Sequence, residues 1–417
     1  MRLGLWVKIP CFAEKMFGTM KRSLNLIIAS SILLSACDPF PSLTLGRNDS
    51  PGSRDPQQKD SNSWGAGTKV IPDIYVCGVE YKDHKAANLV LLRNAQKILE
   101  LPVGGNSKVS AESDSHFLIG KELYTSCCLE NSTIICLNGE ELFCVDRAEY
   151  FTQILPFLDD VWTVSYGLQS NSMCLRKNGQ LMLECPGGKA GKMYADHDRL
   201  CFRYSNTVGE ELQLFHVENG AQSAVKQNGK RLLLDVRSIG GKCWTLGFEG
   251  DKYYLDNGTD CLSFPKRYGF SRIDSEIVAK GDEEPMGIIH MKSNYGPMPA
   301  DQIFMNGEDF LIGAGSTNYY YLDNQPFMKA TFDREAEKLH LCLLPDEEYA
   351  ILENVRMSSE RCACTCEGKM YLCLQAKDNP EKSFIWADGE TVNIDMAFVP
   401  SGISLASSAD GSDLPEP

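Results

Sequence analysis

Apolar and polar residues alternate in short runs along most of the chain, and turn residues separate the runs. In TIICLNGEELFCV, residues 133–145, two such runs flank an Asn-Gly pair. Alternation with a period of two indicates β-strands, whereas amphipathic helices would need apolar residues at a spacing of three to four. Asn-Gly between two alternating runs is a strong hairpin signal, because both central residues of a type I′ turn need positive φ. The pattern predicts an all-β fold.

The hairpin signal recurs at a nearly regular interval. Asn-Gly pairs begin at Asn138, Asn178, Asn219, Asn257 and Asn306. A degenerate copy precedes them at Asn94, and an Asp-Gly pair follows them at Asp388. Successive turns lie 38 to 49 residues apart, and the final interval of 82 residues is about twice that length, which indicates a further unit near Pro345. A unit of about 42 residues built only of strands and turns fits one four-stranded blade of a β-propeller.

These repeats predict a single β-propeller over residues 68–400. Eight blades are the favoured count, and seven are the alternative because residues 277–326 are irregular. A β-sandwich would not keep one period across so long a segment. We expect the strand around Phe398 to close the ring beside the first repeat, and we expect the acidic tail, residues 401–417, to be disordered.

The N-terminal region has the order of parts of a secretory signal. Lys21 and Arg22 precede an apolar run that is too short to span a bilayer as a helix, and small residues follow it. The sequence Leu-Ser-Ala-Cys at residues 34–37 resembles the bacterial lipobox, in which the signal is cut before the cysteine and the thiol carries a diacylglycerol. We predict that Cys37 is lipidated and ends a leader over residues 1–37. An ordinary signal peptide with an incidental cysteine is the alternative.

A polar segment separates this signal from the first repeat. Residues 38–67 consist mainly of Pro, Ser, Gly, Asn, Asp and Gln, so we expect a disordered tether. A lipid on Cys37 would hold the tether to a membrane, and both the inner and the outer membrane fit this arrangement. Translation begins at Met1 or, with a leader of ordinary length, at Met20.

Charge and composition exclude one class of partner. The chain has a net charge of -15, with 43% hydrophobic and 23% charged residues, and its basic residues form no cluster along the sequence. Nucleic-acid binding needs Lys and Arg gathered on one face. We therefore predict a globular protein that does not bind nucleic acid.

Cysteine is unusually frequent, with 17 residues in the chain. The densest group is RCACTC, residues 361–366, and the spacing of its thiols differs from that of common zinc loops. When the repeats are aligned on Tyr124 and Tyr371, Cys364 and Cys373 take positions that other repeats fill with apolar or small residues. We expect most thiols to pack in the blade cores, with disulfides between strands as the first alternative and a metal site as the second.

Aromatic residues divide into two groups. Trp162 and Trp244 occupy the same repeat position as Tyr75, so we predict that they pack inside the blades. Adjacent aromatic residues differ, because alternation places neighbours on opposite faces of a strand and at least one should be less buried. The candidates for a ligand-facing surface are therefore Tyr253, Tyr254, Tyr319, Tyr320 and Tyr321.

Common catalytic and cofactor motifs are missing from the sequence. It contains no His-Glu-Xaa-Xaa-His, no Gly-Xaa-Ser-Xaa-Gly and no phosphate-binding loop. Asp196-His197-Asp198 directly precedes a strand and is interpreted as a polar turn. We predict no catalytic residue, no metal and no cofactor.

Two repeat segments carry a family resemblance. HFLIGKELYTSC, residues 116–127, and DIYVCGVEY, residues 73–81, resemble the propeller repeats of surface or periplasmic lipoproteins of the Bacteroidales. The resemblance implies a lipid-anchored propeller of the bacterial envelope, outside the cytoplasm, and implies no chemistry. Our leading hypothesis is a binding or scaffolding propeller that recognises an envelope protein or glycan. The alternative is an envelope carbohydrate-active enzyme, a lyase or hydrolase with acid and base residues in the central channel.

Overall fold

The computed structural model describes most of the chain after the predicted tether. It covers residues 72–104, 108–208, 211–226, 230–266, 272–280, 284–292, 300–305, 307–313, 316–322, 325–333, 338–343, 347–366, 369–379, 382–387 and 389–406. All of these residues belong to one compact unit. Cys37 and the predicted leader and tether lie outside the described residues.

Strands account for nearly all of the described secondary structure. In the first half of the chain they are β1 (Asp73–Lys82), β2 (Lys85–Arg93), β3 (Gln96–Pro102), β4 (His116–Ile119), β5 (Glu122–Cys128), β6 (Thr133–Leu137), β7 (Glu140–Val145), β8 (Glu149–Phe157), β9 (Asp160–Gly167), β10 (Ser172–Lys177), β11 (Gln180–Pro186), β12 (Lys189–Asp196), β13 (Arg199–Val208), β14 (Glu211–Glu218) and β15 (Ala221–Ala224). In the second half they are β16 (Leu232–Ile239), β17 (Lys242–Glu249), β18 (Lys252–Asp256), β19 (Cys261–Pro265), β20 (Arg272–Lys280), β21 (Glu284–Lys292), β22 (Ala300–Met305), β23 (Glu308–Gly313), β24 (Ser316–Leu322), β25 (Gln325–Asp333), β26 (Lys338–Leu343), β27 (Glu347–Glu353), β28 (Val355–Arg356), β29 (Ala363–Cys366), β30 (Lys369–Ala376), β31 (Lys382–Ala387) and β32 (Glu390–Ala406). The described helices are short 3₁₀ turns at Ser113–Ser115 and Glu360–Cys362. No helix in the described ranges is long and apolar enough to cross a bilayer.

The strands form antiparallel sheets that follow one another along the chain. Within the described residues, six sheets have four strands and one has eight. We number them in chain order: sheet 2 is β4–β7, sheet 3 is β8–β11, sheet 4 is β12–β15, sheet 5 is β16–β19, sheet 6 is β20–β23 and sheet 7 is β24–β27. The eight-stranded sheet contains sheet 8 (β28 to β31 and the start of β32) and sheet 1 (the end of β32 with β1–β3). This succession of four-stranded sheets makes the fold a β-propeller, as predicted.

The long strand β32 joins the two ends of the described chain. Its first part pairs with β31, and its second part pairs with β1 from Phe398 opposite Glu80 to Ala406 opposite Asp73. The prediction that the strand around Phe398 lies beside the first repeat is confirmed. The predicted disorder of residues 401–417 is wrong for residues 401–406, because these residues form the innermost strand of sheet 1 and their backbone groups are paired. Divided at β32, and with the short strands β28 and β29 counted as one because both pair with β30, the described strands make eight sets of four. The count of eight blades stays a prediction.

The Asn-Gly turns explain why the hairpins recur so regularly. Asn94, Asn138, Asn178 and Asn219 all have φ between 48° and 50°, as a type I′ turn requires. Each side-chain Oδ1 also accepts a hydrogen bond from a backbone N–H two strands earlier, with partners Ile74, Leu123, Val161 and Leu200. The backbone N–H of each asparagine donates to the carbonyl of the same partner at 2.8 Å. One asparagine therefore shapes the turn and fastens the neighbouring strand end.

Asn257 differs from these four turns. Its N–H donates to the carbonyl of Asp260, and its Oδ1 accepts from the N–H groups of Thr259 and Asp260, so the loop has four residues rather than two. The predicted type I′ turn is wrong at this position, because the side chain organises its own loop instead of the adjacent strand. Asn306 and Asp388 lie outside the described residues.

The packing predictions for the large aromatic residues hold. Tyr75, Trp162 and Trp244 are 5%, 4% and 5% exposed, and each lies in a cluster of apolar side chains. All three come from the second strand of their sheets. Their shared position in the repeat thus corresponds to a shared position in the blade core.

The cysteines divide between core and surface. No cysteine with a described side chain forms a disulfide. The buried ones are Cys77, Cys136, Cys174, Cys185, Cys201, Cys362 and Cys373, and they confirm the prediction of core packing. Cys128, Cys144, Cys243 and Cys261 are exposed, so packing does not account for them.

The RCACTC segment packs between sheets. Cys362, Cys364 and Cys366 contact the cluster between sheets 8 and 1, whereas Ala363 contacts the cluster between sheets 7 and 8. Alternation along the strand therefore places the thiols on one face, as the sequence predicts. Burial raises the pKa of Cys362 to about 12, which keeps this thiol protonated.

Replacement of Asn178 tests the turn mechanism. We expect Asn178→Ala to lower the free energy of unfolding by about 2 kcal/mol, because it removes a hydrogen-bond acceptor and leaves alanine at positive φ. Asn178→Gly should cost only about 1 kcal/mol, since glycine accepts positive φ and only the hydrogen bonds are lost. Urea unfolding of the three proteins gives both values. Equal losses for Ala and Gly would contradict a contribution from the backbone conformation.

Candidate functional site

Apolar clusters fill most of the described gaps between consecutive sheets. Leu91 of sheet 1 packs with Leu123 of sheet 2, and Trp162 of sheet 3 packs with Phe202 of sheet 4. Another cluster joins sheets 5 and 6 through Trp244 and Ile277, among others. None of the described clusters lies between sheets 4 and 5. We call this space the 4–5 gap, and polar side chains fill it.

The inner end of the 4–5 gap is held by a buried ion pair. Nε of Arg203, on β13, contacts Oδ1 of Asp235, on β16, and Asp235 is 3% exposed. The other carboxylate oxygen accepts a hydrogen bond of 2.6 Å from the N–H of Ile277, on β20. A Cβ on Gly191 would lie 2.8 Å from Cγ of Arg203, so glycine is needed where the arginine crosses β12. The carboxylate thus ties sheets 4, 5 and 6 together.

The charge state of Asp235 depends on opposing effects. Burial raises its pKa to about 6, while the charge of Arg203 and the N–H groups of Ile277 and Val236 act in the opposite direction. All of its contacts are to the arginine or to backbone, so the carboxylate has a structural role. The hydroxyl of Tyr194 has a similar role, because it accepts a hydrogen bond of 2.6 Å from the N–H of Ser238 across the same gap.

A second polar cluster lies at the sheet edge where β12 turns into β13. Asp196 is 8% exposed and accepts hydrogen bonds from Arg199 at 3.0 Å, from the Ser238 hydroxyl and from the Gly241 N–H at 3.2 Å. His197 has φ of 56° and its side chain is exposed, which confirms the predicted polar turn. The cluster fastens sheet 4 to sheet 5 and leaves the histidine in solvent.

His216 lies in the middle of the 4–5 gap. It is directly opposite Arg203 on the neighbouring strand and is 8% exposed. Its Nε2 atom has no hydrogen-bond partner in the part of the chain that the structure describes. Burial lowers the pKa of His216, so the imidazole is neutral near pH 7. An uncharged ring explains how this position is tolerated beside a guanidinium.

The outer end of the gap contains a cavity of about 170 Å³. It is lined on sheet 5 by Cys243, Thr245, Tyr254 and Asp256, among others, and on the connection from sheet 4 by Lys226 and Arg231. The opposite face of β17 carries Trp244 and packs against sheet 6. The cavity therefore belongs to the face of sheet 5 that is turned toward sheet 4.

Arg231 is fixed at the wall of this cavity. Its Nη1 atom forms an ion pair with Oδ2 of Asp256, and its guanidinium carbon lies 4.0 Å from the centre of the Tyr254 ring. Partial burial opposes both charges, but it is outweighed at Asp256 by the N–H of Gly258, 2.7 Å away, and by the bond to Arg231, and at Arg231 by the bond to Asp256 and the attraction between the two charges. The pKa of Asp256 is lowered and the pKa of Arg231 is raised. The guanidinium is thus charged and held in one plane.

The ligand-facing candidates from the sequence separate in the structure. Tyr254 is half-buried and lines the cavity. Tyr253 is 1% exposed and packs against Phe304 and Phe248, so a ligand-facing role is wrong for this residue. Alternation along β18 sends the two rings to opposite faces, as expected. The side chains of Tyr319, Tyr320 and Tyr321 lie outside the described part of the structure, and only their backbone in β24 is placed.

Two buried clusters elsewhere resemble catalytic arrangements but are saturated. Nδ1 of His116 lies 3.1 Å from the Ser401 hydroxyl, and Nε2 donates to the Ser110 carbonyl at 2.8 Å. The imidazole is fully buried, and burial lowers its pKa to about 4. Glu149 accepts hydrogen bonds from Arg176 and from the Ser165 hydroxyl. Both clusters join strands and have no access to a substrate.

The sequence carries a local signal for the 4–5 gap. Asp235 interrupts the apolar run LLLDV, residues 232–236, and His216 interrupts LQLFHV, residues 212–217. A charged or polar residue in the middle of an alternating apolar strand needs a partner. The partners come from other sheets, so the sequence alone does not identify them.

The pair at the inner end can be tested by a double-mutant cycle. We expect Asp235→Asn to lower the free energy of unfolding by about 3 kcal/mol, because Arg203 loses its counter-ion inside the protein. Adding Arg203→Met should recover much of this loss, since no unpaired charge then stays buried. Urea unfolding measures each variant. Glu184→Gln, which breaks the exposed pair with Arg147, is the control and should change stability little. Additive losses in the cycle would show that the pair is not coupled.

Comparisons with known proteins concern the fold alone. No protein-family model matches the chain, and no curated protein matches its sequence. Its fold is similar to that of AztD from Citrobacter koseri, with a TM-score of 0.46 and 11% identity over 81% of this chain and 98% of that one. It is also similar to the dihydro-heme d1 dehydrogenase NirN in complex with DHE, with a TM-score of 0.47 and 13% identity over 90% of this chain and 81% of that one. No ligand or activity is transferred from these likenesses.

Proposed function

We propose that this protein is a binding or scaffolding propeller of the bacterial envelope, anchored to a membrane through lipidated Cys37. Its partner is an envelope glycan or protein. The observation that supports this function is the charged cavity on the face of sheet 5 that is turned toward sheet 4, beside a gap where Asp235 and Asp196 fasten the two sheets to each other. A cavity on a rigid wall needs little reorganisation when a ligand binds.

The chemistry of the described residues favours binding over catalysis. An enzyme of the rival class needs two carboxylates at catalytic separation, or a histidine with Tyr or Arg, open to the substrate. Asp235, Glu149 and His116 are buried, and their polar atoms are engaged in bonds between strands. A group that is both buried and fully bonded does not exchange protons with a substrate.

The proposed location follows from the order of segments in the sequence. A basic start, an apolar run and the lipobox-like residues 34–37 precede the polar residues 38–67, and the propeller follows. Acyl chains on Cys37 would anchor the protein by burial of their methylene groups, at about 0.8 kcal/mol for each. The polar segment would then hold the propeller away from the bilayer.

The anchor can be tested by metabolic labelling. The full chain, expressed in a bacterium that is fed labelled palmitate, should incorporate the label and sediment with membranes. Cys37→Ala should lose both properties, because the thiol that carries the lipid is gone. Cys11→Ala, a change of the other cysteine in the N-terminal region, is the matched control and should keep the label. Labelled Cys37→Ala protein would refute the anchor.

The binding function can be tested with the chain that begins after Cys37. We expect this protein to bind members of a glycan array or to capture a defined protein from envelope extract, and to leave bound glycans uncleaved. Mass spectrometry of the recovered glycans checks the last point. Cleavage of a bound glycan would establish the rival enzyme, and failure in both binding formats would refute the proposal.

A further inference from the structure

The cavity at the outer end of the 4–5 gap has features that define a ligand class. We infer that it binds a sugar ring that carries a carboxylate, such as a hexuronate residue of an acidic glycan. This inference rests on the proposed binding function and names its ligand. It is carried by the charge, the size and the polar lining of the cavity.

The charge of the lining favours an anion. Arg231 and Asp256 form an ion pair and largely compensate each other. Lys226 also lines the cavity, and its ammonium has no ion-pair partner among the described residues. The cavity thus carries one uncompensated positive charge in a chain whose net charge is -15. A ligand with one negative charge would balance the charge of Lys226.

The size of the cavity limits the ligand to about one ring. Its volume is about 170 Å³. Cavities of about 150 Å³ accept a single six-membered ring such as benzene, whereas sites for drug-sized molecules begin at about 300 Å³. A longer glycan would therefore place one of its residues in the cavity and the rest outside it.

The polar groups of the lining distinguish a sugar from an aromatic ring. The hydroxyls of Thr245 and Tyr254 and the amide of Asn257 line the cavity, with Leu233 as an apolar contact. The Thr245 hydroxyl already donates to the Asp256 carbonyl, and the Asn257 amide is bonded within its own loop. The Tyr254 hydroxyl can both donate to and accept from a ring hydroxyl, and the Thr245 oxygen can accept one more hydrogen bond. A hydrocarbon ring would offer no partner to the Tyr254 hydroxyl, whereas a sugar hydroxyl supplies one.

The guanidinium of Arg231 favours a carboxylate in particular. It lies over the Tyr254 ring, and it is bonded to Asp256 through Nη1 and to the Cys261 thiol. A guanidinium has five N–H donors in one plane, so donors stay available beside these contacts. The N–H donors of a planar guanidinium match the two oxygens of a carboxylate. Because the Arg231 guanidinium is already held in place, it loses little entropy when a ligand binds.

Isothermal titration calorimetry with single sugars tests the inference. We expect D-galacturonate or D-glucuronate to bind the purified chain, while D-galactose and D-glucose, which lack the carboxylate, should bind at least tenfold more weakly or not at all. Lys226→Gln should weaken uronate binding by about fivefold to tenfold, because it removes the uncompensated charge. Lys226 is exposed and unpaired within the described ranges, so this variant should fold normally. Lys252→Gln removes an exposed lysine of the same sheet that does not line the cavity, and it should leave binding unchanged.

Several results would overturn the inference. These are binding of neither uronate, equal binding of the neutral sugars, an unchanged affinity in Lys226→Gln, or equally tight binding of sodium sulfate at the same ionic strength. If one of them occurs while the chain still captures a glycan or protein, the ligand class is wrong and the proposed function stands. If uronate binds as expected but the chain captures neither a glycan nor an envelope protein, the ligand class stands and the proposed function is wrong.

Discussion

The fold depends on hydrogen bonds between side chains and backbone that join the innermost strands of neighbouring sheets, because these strands, where described, do not form backbone hydrogen bonds with one another as paired β-strands do. Side chains supply the missing connections. Gln153 of β8 donates to the carbonyl of Gly191 at 2.8 Å, Tyr194 of β12 accepts from the N–H of Ser238, and Asp235 of β16 accepts from the N–H of Ile277. Each side chain therefore satisfies a backbone group that would otherwise lie buried without a partner. Three successive junctions use three different residue types for the same purpose.

Because backbone groups at the junctions need side-chain partners, polar side chains at the junctions are structural, and only those away from the junctions are available to a ligand. The acceptors of Asp235 and Asp196 are occupied by neighbouring sheets, and their positions between sheets explain their burial. Lys226 has no such bond within the described residues and lies where the gap widens into a cavity. A buried carboxylate with a displaced pKa is a frequent sign of an active site. In this protein the displaced pKa of Asp235 results from burial at a junction.

The sequence predicted the local elements better than the contacts between them. Strands, the propeller fold and the turns at Asn138 and Asn178 depend on neighbouring residues, so alternation and turn chemistry were sufficient. The sequence does not predict the part of β32 after residue 400, because its small and polar residues are also typical of a disordered tail. Only its pairing with β1 identifies it as a strand. For the same reason Asp235 was not recognised, since Arg203 and Ile277 belong to other sheets. Of the aromatic candidates, alternation identified the pair on β18 but not which ring faces the cavity.

The contrast between apolar and polar gaps gives the cavity its position. Apolar side chains fill a gap by interdigitation and leave little space, as Trp162 and Phe202 do between sheets 3 and 4. Ion pairs and hydrogen bonds need defined directions and distances, so Arg203 and Tyr194 cross the 4–5 gap at fixed points, while Arg231 is fixed to Asp256 on the face of sheet 5. The space that these bonds leave unfilled is lined by polar side chains such as those of Thr245 and Tyr254. A gap that is closed by directed bonds at its inner end can therefore stay open at its outer end without loss of rigidity, and that combination is what a binding site requires.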